Sequence, residues 1–227
     1  IALNTIMAEE LQQFADQLEK SKNFQSDLEK LIKKVFTDHQ RIIFNGNGYD
    51  DAWIAEAEKR GLSNLKSAAD ALPVYTAKKN VDLFVKHGIY TKEEINARAE
   101  IHIENYTTVL TIEARTMADM LRRQILPAGQ AALRELGQTS RAKQEISPLL
   151  SCKAEELLGT QIANYNDMLL AGCTLLENLL RDFPSGTEEQ KALYARDRLL
   201  PAMNELRQAA DALEQMCPAH LWPMPTY

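Results

Sequence analysis

Apolar residues recur at threes and fours over three long stretches of this chain, a spacing that restricts those stretches to amphipathic helices whose apolar faces must find partners. Leu158, Ile162, Tyr165, Leu169, Cys173, Leu176, Leu180 and Phe183 form one stripe, and Leu199, Met203, Leu206, Ala210, Leu213 and Cys217 form another. The turn Phe183-Pro184-Ser185-Gly186 joins them, so an antiparallel hairpin of two long helices is predicted. The longest pattern runs from Lys92 to about Leu136 and starts at a capping box, Thr91 with Glu94 three residues on. Two stripes can be drawn along it, Ile103-Thr107-Leu110-Ala114-Met117-Leu121 and Ile95-Ala99-His102-Tyr106-Val109, which predicts burial on two sides. Pro127 lies inside this pattern and should kink it at a local cost of ~3 kcal/mol unless something compensates; Pro201 should act likewise on the return helix. The echo of Ile125-Leu126-Pro127-Ala128 in Leu199-Leu200-Pro201-Ala202 is too short to count as a repeat. The fold class predicted is all-α: a long-helix bundle with an antiparallel helical hairpin and one short irregular Gly/Asn loop.

That loop is Arg41 to Asp51, where helix-forming sequence stops. Ile42, Ile43 and Phe44 suit a strand, and Asn45-Gly46-Asn47-Gly48 tolerates left-handed backbone, so a tight turn or short hairpin is expected. Tyr49 follows, then Asp50 or Asp51 as N-cap of a short helix, Ala52 to Arg60, closed by Gly61. Before the loop, helices are predicted from Leu3 to Lys20, with Asn4 as N-cap, and from a cap at Asn23 or Ser26 to about His39. After it come short helices at Ser67 to Leu72 and Ala77 to His87, the second ended by Gly88. Gly137 to Ser147 reads as a linker. The tail carries Trp222, Pro223 and Tyr227, whose apolar surface should dock on the chain's own body or on another subunit, making these residues interface candidates.

The net charge of -6 argues against a sequence-independent nucleic-acid binder, which needs a basic face to displace counterions. No apolar run approaches the ~18 residues of a membrane span, and no charged-then-apolar leader opens the chain. Cys152, Cys173 and Cys217 are odd in number and widely spaced, all at apolar helical positions, which fits inert packing in a reducing cytoplasm. Because the chain opens on Ile1 directly into a helical pattern, it is expected to be a piece of something longer.

Reactive groupings are sparse. A carboxylate-bridged metal centre in a bundle needs Glu-x-x-His pairs, and none of His39, His87, His102 or His220 has a glutamate three residues before it. Glu100, His102 and Glu104 alternate and cannot share a helix face, so His102 is expected at the core or its boundary. Gly46-x-Gly48 before a helix suggests a phosphate-binding turn, but Asp51 occupies the place of the third glycine and no Gly-Lys-Ser/Thr follows. The expectation is therefore no catalytic residue and no metal ligand in this chain, with Asn45, Gly46, Asn47, Gly48 and Tyr49 as weak candidates for cofactor contact.

The segment RIIFNGNGYDDAWIAEAEKRGL, Arg41 to Leu62, resembles the C-terminal part of type III glutamine synthetase, the long-subunit bacterial form. The likeness continues in LNTIMAEEL (Leu3 to Leu11), in LPVYTAKKNVDLFVKHGIYTKEEINARAEIHIENY (Leu72 to Tyr106), in Ile112 to Met120, in Met203 to Arg207 and in the closing WPMPTY. It implies a fragment of a larger α+β enzyme that joins ammonia to glutamate with ATP and Mg2+ or Mn2+, through γ-glutamyl phosphate. The metal, phosphate and glutamate ligands implied by the family lie on strands upstream of Ile1, so none is carried over to a residue here. Residues 1–140 would then be the helical part of the catalytic domain, and 141–227 a hairpin extension specific to the type III form. The implied partners are the rest of the subunit and neighbouring subunits of a dodecamer. Asn47-Gly48-Tyr49-Asp50 matches a loop that some bacteria adenylylate in the shorter enzymes; type III enzymes are not generally regulated that way, so a structural turn is expected. The competing reading is a stand-alone helical interaction module without activity.

Overall fold

The computed structural model describes residues 1–225, and among them the chain is helices, turns and loops with no strand. It divides into two compact units, Ile1–His102 and Ile103–Tyr227, with the boundary inside one long helix.

The first unit holds α1 (Ala2–Leu18), α2 (Phe24–Asp38), α3 (Asp51–Lys59), α4 (Ala68–Ala71), α5 (Lys78–Lys86) and the start of α6 (Lys92–Met120). Its core is small: Val81, Phe84 and Ile95 are buried together, and the rings of Tyr75 and Tyr90 pack on Phe84 at centroid distances of 6.2 and 5.6 Å. Asn23 caps α2 by accepting the Ser26 N–H, and Asp50 caps α3 by accepting that of Ala52. Asn4 caps nothing; α1 begins at Ala2, one turn earlier than its side chain could serve. Gly61 and Gly88 end α3 and α5 at φ +71° and +62°, conformations that a side chain would strain. At each end the two following N–H groups fold back onto the last turn, Gly61 to Glu58 and Leu62 to Ala57, then Gly88 to Val85 and Ile89 to Phe84, which satisfies carbonyls the helix leaves open.

A polar clamp joins α1 to α5. The Glu9 carboxylate accepts from Lys86 Nζ at 2.7 Å and from Gln13 Nε2 at 2.8 Å, and lies 2.7 Å from His87 Nε2. The hydrogen bond from Lys86, then those from Gln13 and His87, hold the Glu9 carboxyl down to about 2. Elsewhere α1 leaves its apolar side uncovered, with Leu3 78% and Leu11 60% exposed.

In the second unit the later half of α6 leads through a π turn (Leu121–Ile125) into α7 (Leu126–Ile146). Then come α8 (Lys153–Arg181), α9 (Glu188–Tyr194), a second π turn (Ala195–Leu199) and α10 (Leu200–Glu214). The hairpin forms as predicted, and α8 lies between α7 and α10. Its stripe of Ile162, Asn166, Leu169, Cys173, Leu176 and Leu179 is the middle of the core. Two glycines permit that closeness: a Cβ at Gly129 on α7 would overlap the Asn166 amide, and one at Gly172 on α8 would stand 2.7 Å from Leu206 Cδ2 of α10. Arg122 on the first π turn grips Glu177 of α8 with both Nε and Nη2, the second at 2.6 Å. Where the chain turns between α8 and α9, the Tyr194 hydroxyl donates to the Leu179 carbonyl at 3.1 Å and its ring meets Phe183 edge-on. Thr187 and Gln190 add a capping box at the start of α9.

Several expectations change here. Both prolines follow π turns by two residues: the Leu126 N–H reaches back five residues to the Leu121 carbonyl, and Leu200 does the same to Ala195. The wider turn draws away the carbonyl that a proline ring would strike in a regular helix, which is the compensation the kink argument left open. The linker expected from Gly137 to Ser147 is helical as far as Ile146, because one glycine costs a helix only ~1 kcal/mol and Leu133 and Leu136 pack on the core. The chain breaks instead at Ser147, forced into extended backbone (φ -162°, ψ 129°) by Pro148 after it. On α6 the first stripe is buried except for Met117, which is partly buried, but of the second only Ile95 and Ala99 are buried; His102 and Val109 are exposed. Cys152 sits at the head of α8 rather than within an apolar stripe, while Cys173 and Cys217 are buried, and burial pushes both thiols up.

Leu176 is wholly buried between the helices, so Leu176→Ala should cost about 2–5 kcal/mol of unfolding free energy, read from denaturant midpoints; a loss under about 0.5 kcal/mol would refute its place in the core. Because the folded Glu9 carboxyl lies below its unfolded value near ~4.3, its contribution is present above that pH and fades as pH falls toward about 2. Glu9→Gln should therefore lower stability at neutral pH and match the parent near pH 2. A deficit that persists unchanged in acid would contradict the clamp.

Candidate functional site

The irregular segment between α2 and α3 is held by aromatic packing and one arginine. After α2 the chain makes a single 3-10 turn, Gln40–Ile42, and then extends. No hairpin forms: Ile42 belongs to that turn, and Phe44 stacks on Trp53 of α3 with centroids 4.0 Å apart and planes 22° from parallel. Stacking that ring on Trp53 takes part of its apolar surface out of water, whereas a two-stranded ribbon with no third strand to support it is marginal. Gly46 is needed, though not for positive φ; a Cβ there would come 2.5 Å from Phe44 Cζ, so the glycine lets the backbone pass under the ring. Asn47 turns the loop by accepting the Tyr49 N–H at 3.1 Å, and Tyr49 itself is 99% exposed.

Asn45, Gly46, Asn47, Gly48 and Tyr49 are all exposed. A phosphate turn would present free N–H groups at the start of α3, yet Asp50 already occupies the Ala52 N–H and Asp51 adds a second carboxylate in the first turn. The geometry therefore speaks against an anion at that helix start.

Beside the loop, α2, the 3-10 turn and the end of α3 surround an open basin of about 680 Å³ lined by Lys33, Phe36, Thr37, Gln40, Arg41, Ile43 and Arg60. Arg60 fixes one wall: its Nε donates to Glu56 at 2.6 Å, its Nη1 to the Ile43 carbonyl at 3.0 Å, and its guanidinium lies 5.5 Å from the Trp53 ring centre. The bond from Arg60 lowers the Glu56 carboxyl pKa. None of these basin residues was expected from the sequence to belong to a site; Ile43 was read only as suited to a strand. Spacing held part of the signal, since Lys33 and Thr37 are four apart on α2 with Gln40 three further on in the 3-10 turn, and Arg60, at the end of α3, is seven residues after Trp53.

The other candidates are scattered. His87 joins the Glu9 clamp, His220 lies 3.1 Å from Glu135, and His39 and His102 are exposed. No three His, Cys, Asp or Glu side chains gather as a possible metal set among the described residues. Trp222 is buried against the second unit's own core, Pro223 is exposed, and Tyr227 lies outside the described residues. Among the described residues no helix is long and apolar enough to cross a membrane.

Comparison with known proteins gives this arrangement a family. Over 201 residues the chain is 34% identical to a glutamine synthetase of Butyrivibrio fibrisolvens, covering 88% of this chain and 29% of that protein. It is 29% identical over its whole length to the type-3 glutamine synthetase of Dictyostelium discoideum, and 24% to a glutamine synthetase of Bacteroides fragilis, spanning 32% of each. The chain thus spans about three-tenths of the length of these relatives. The family model for the glutamine synthetase C-terminal domain matches residues 27–144, from α2 through nearly all of α7, and the chain belongs to that family.

Proposed function

We propose that these residues are the helical C-terminal part of a glutamine synthetase subunit that ligates ammonia to glutamate with ATP through γ-glutamyl phosphate, and that they brace and assemble the enzyme without holding its reacting groups. The family match over residues 27–144 carries this reading. The scattered carboxylates and histidines support the second half of it, because phosphoryl transfer of this kind needs metal ions and cations clustered around the transferring group. On this reading ATP and Mg2+ or Mn2+ are held by residues outside these 227, in a cytoplasmic enzyme. Residues 1–140 complete its catalytic domain, while 141–227 form an extension that contributes to contacts in a dodecamer.

The uncovered apolar side of α1, where Leu3, Met7 and Leu11 are exposed, supports a role in packing against a larger body. The partners are then the remainder of the subunit and its neighbours in the assembly.

Phosphate release dependent on glutamate, ammonia and ATP should be absent for these 227 residues alone and present for the complete subunit that contains them. Turnover by the isolated residues would overturn the division of labour; a complete subunit that assembles but shows no turnover would overturn the activity. In the complete subunit, Leu11→Glu should weaken assembly, seen as smaller species in sedimentation.

A further inference from the structure

We propose that the basin between α2 and α3 binds a small oxyanion carrying two or more negative charges, its phosphate or carboxylate groups held by Lys33, Arg41 and Arg60. In a chain of net charge -6, three cations line one depression and no carboxylate lines it. Cations elsewhere on α2 are neutralised along the helix, Lys30 by Asp27 and Lys34 by Asp38. Lys33 Nζ and the Arg41 guanidinium have no hydrogen bond or ion pair among the described residues. Lys33 and Arg41, gathered beside an Arg60 that is already paired with Glu56, repel one another, and a bound anion would relieve that repulsion.

Arg60 makes the cluster more than a solvated face. Its Nε and Nη1 are committed to Glu56 and to the Ile43 and Arg41 carbonyls, so its position is set before any ligand arrives, and Nη2 has no protein partner among the described residues. A guanidinium fixed in this way loses little rotamer freedom on binding an oxyanion, which its Nη2 can meet with a charged hydrogen bond. Its bond to the Arg41 carbonyl also ties Arg41's backbone to the same wall. The remaining lining adds the Gln40 amide as a donor and Phe36 as an apolar side. A volume of about 680 Å³ suits a small molecule rather than a nucleic acid, which would need an extended basic track.

Trp53 supplies the readout, since Arg60 lies over its ring. Pyrophosphate and citrate would be titrated separately into the complete polypeptide at constant ionic strength, with binding followed by tryptophan emission and by calorimetry. At least one should bind saturably, and Lys33→Gln and Arg41→Gln should each weaken it by roughly tenfold, the effect of removing one charged hydrogen bond. Both side chains are exposed, so both variants should keep the parent's circular dichroism. Lys34→Gln, beside them but paired to Asp38, should bind like the parent. The proposal is overturned if neither anion binds saturably, if the Lys33 and Arg41 variants bind as tightly as the parent, or if an oligoglutamate peptide binds while both small anions do not. Because binding is measured without turnover, its failure leaves the reading as a glutamine synthetase part intact.

Discussion

The second unit depends on how closely α8 approaches α7 and α10. Its stripe is almost fully shielded from water, and that shielding requires two glycines where the helices meet: Gly129 against Asn166, and Gly172 against Leu206. Without a side chain at those points the neighbouring helices drop into contact range along their length, so Leu169, Cys173 and Leu176 fill the space between them. The Asn166 amide is the exception within this stripe, buried with no partner among the described residues for either polar atom, a local cost that the surrounding apolar burial must exceed. Specific polar contacts then fix the register. Arg122 with Glu177 ties α8 to the first π turn, and Tyr194 ties the start of the return path to the end of α8.

The first unit is built differently. Its buried apolar cluster is small, and much of its order comes from helix ends and side-chain clamps: Schellman glycines at Gly61 and Gly88, Glu9 between Lys86 and His87, Arg60 between Glu56 and the loop carbonyls. Such interactions define geometry well but contribute modestly to stability where they are exposed. A unit with uncovered apolar side chains on α1 and α2 fits a segment whose remaining stability comes from what it packs against.

Periodicity made the helices legible because burial on one side of a helix leaves a repeat that composition cannot mimic. The hairpin, the capping box at Thr91 and the closing roles of Gly61 and Gly88 followed directly from it or from cap chemistry. Of the two forms expected for the loop, the tight turn is present, closed by the Asp50 N–H on the Asn47 carbonyl, but the hairpin is not, because Ile42, Ile43 and Phe44 favour a strand only if another strand is present to pair with them. Here the partner is the Trp53 ring, a contact that sequence spacing across a turn does not reveal. The basin was illegible for a related reason: its cations come from α2, from the 3-10 turn and from the end of α3, and only the folded loop brings them together. Gly137 misled in the opposite direction, since a helix whose apolar side is already buried can carry one unfavourable residue.

The echo around the two prolines, dismissed as too short, marks equal local structure: each Leu-Pro-Ala follows a π turn at the same offset. A π turn holds one residue more than the α-helix around it would need, so the helix beyond it is rotated by about 100° relative to an uninterrupted one. The wider turn takes that residue up locally, and apolar side chains from both sides of it, Leu110 and Ala114 before the first turn and Ala128 and Ala132 after it, meet in one core. Losing a single residue from either turn would lengthen a regular helix and bring its hydrogen bonds into uniform order. Because the residue lost is the one the wider turn takes up, Leu110 and Ala114 before the first turn would keep facing the core; straightening the turn with every residue kept would instead rotate them away from it by about 100°.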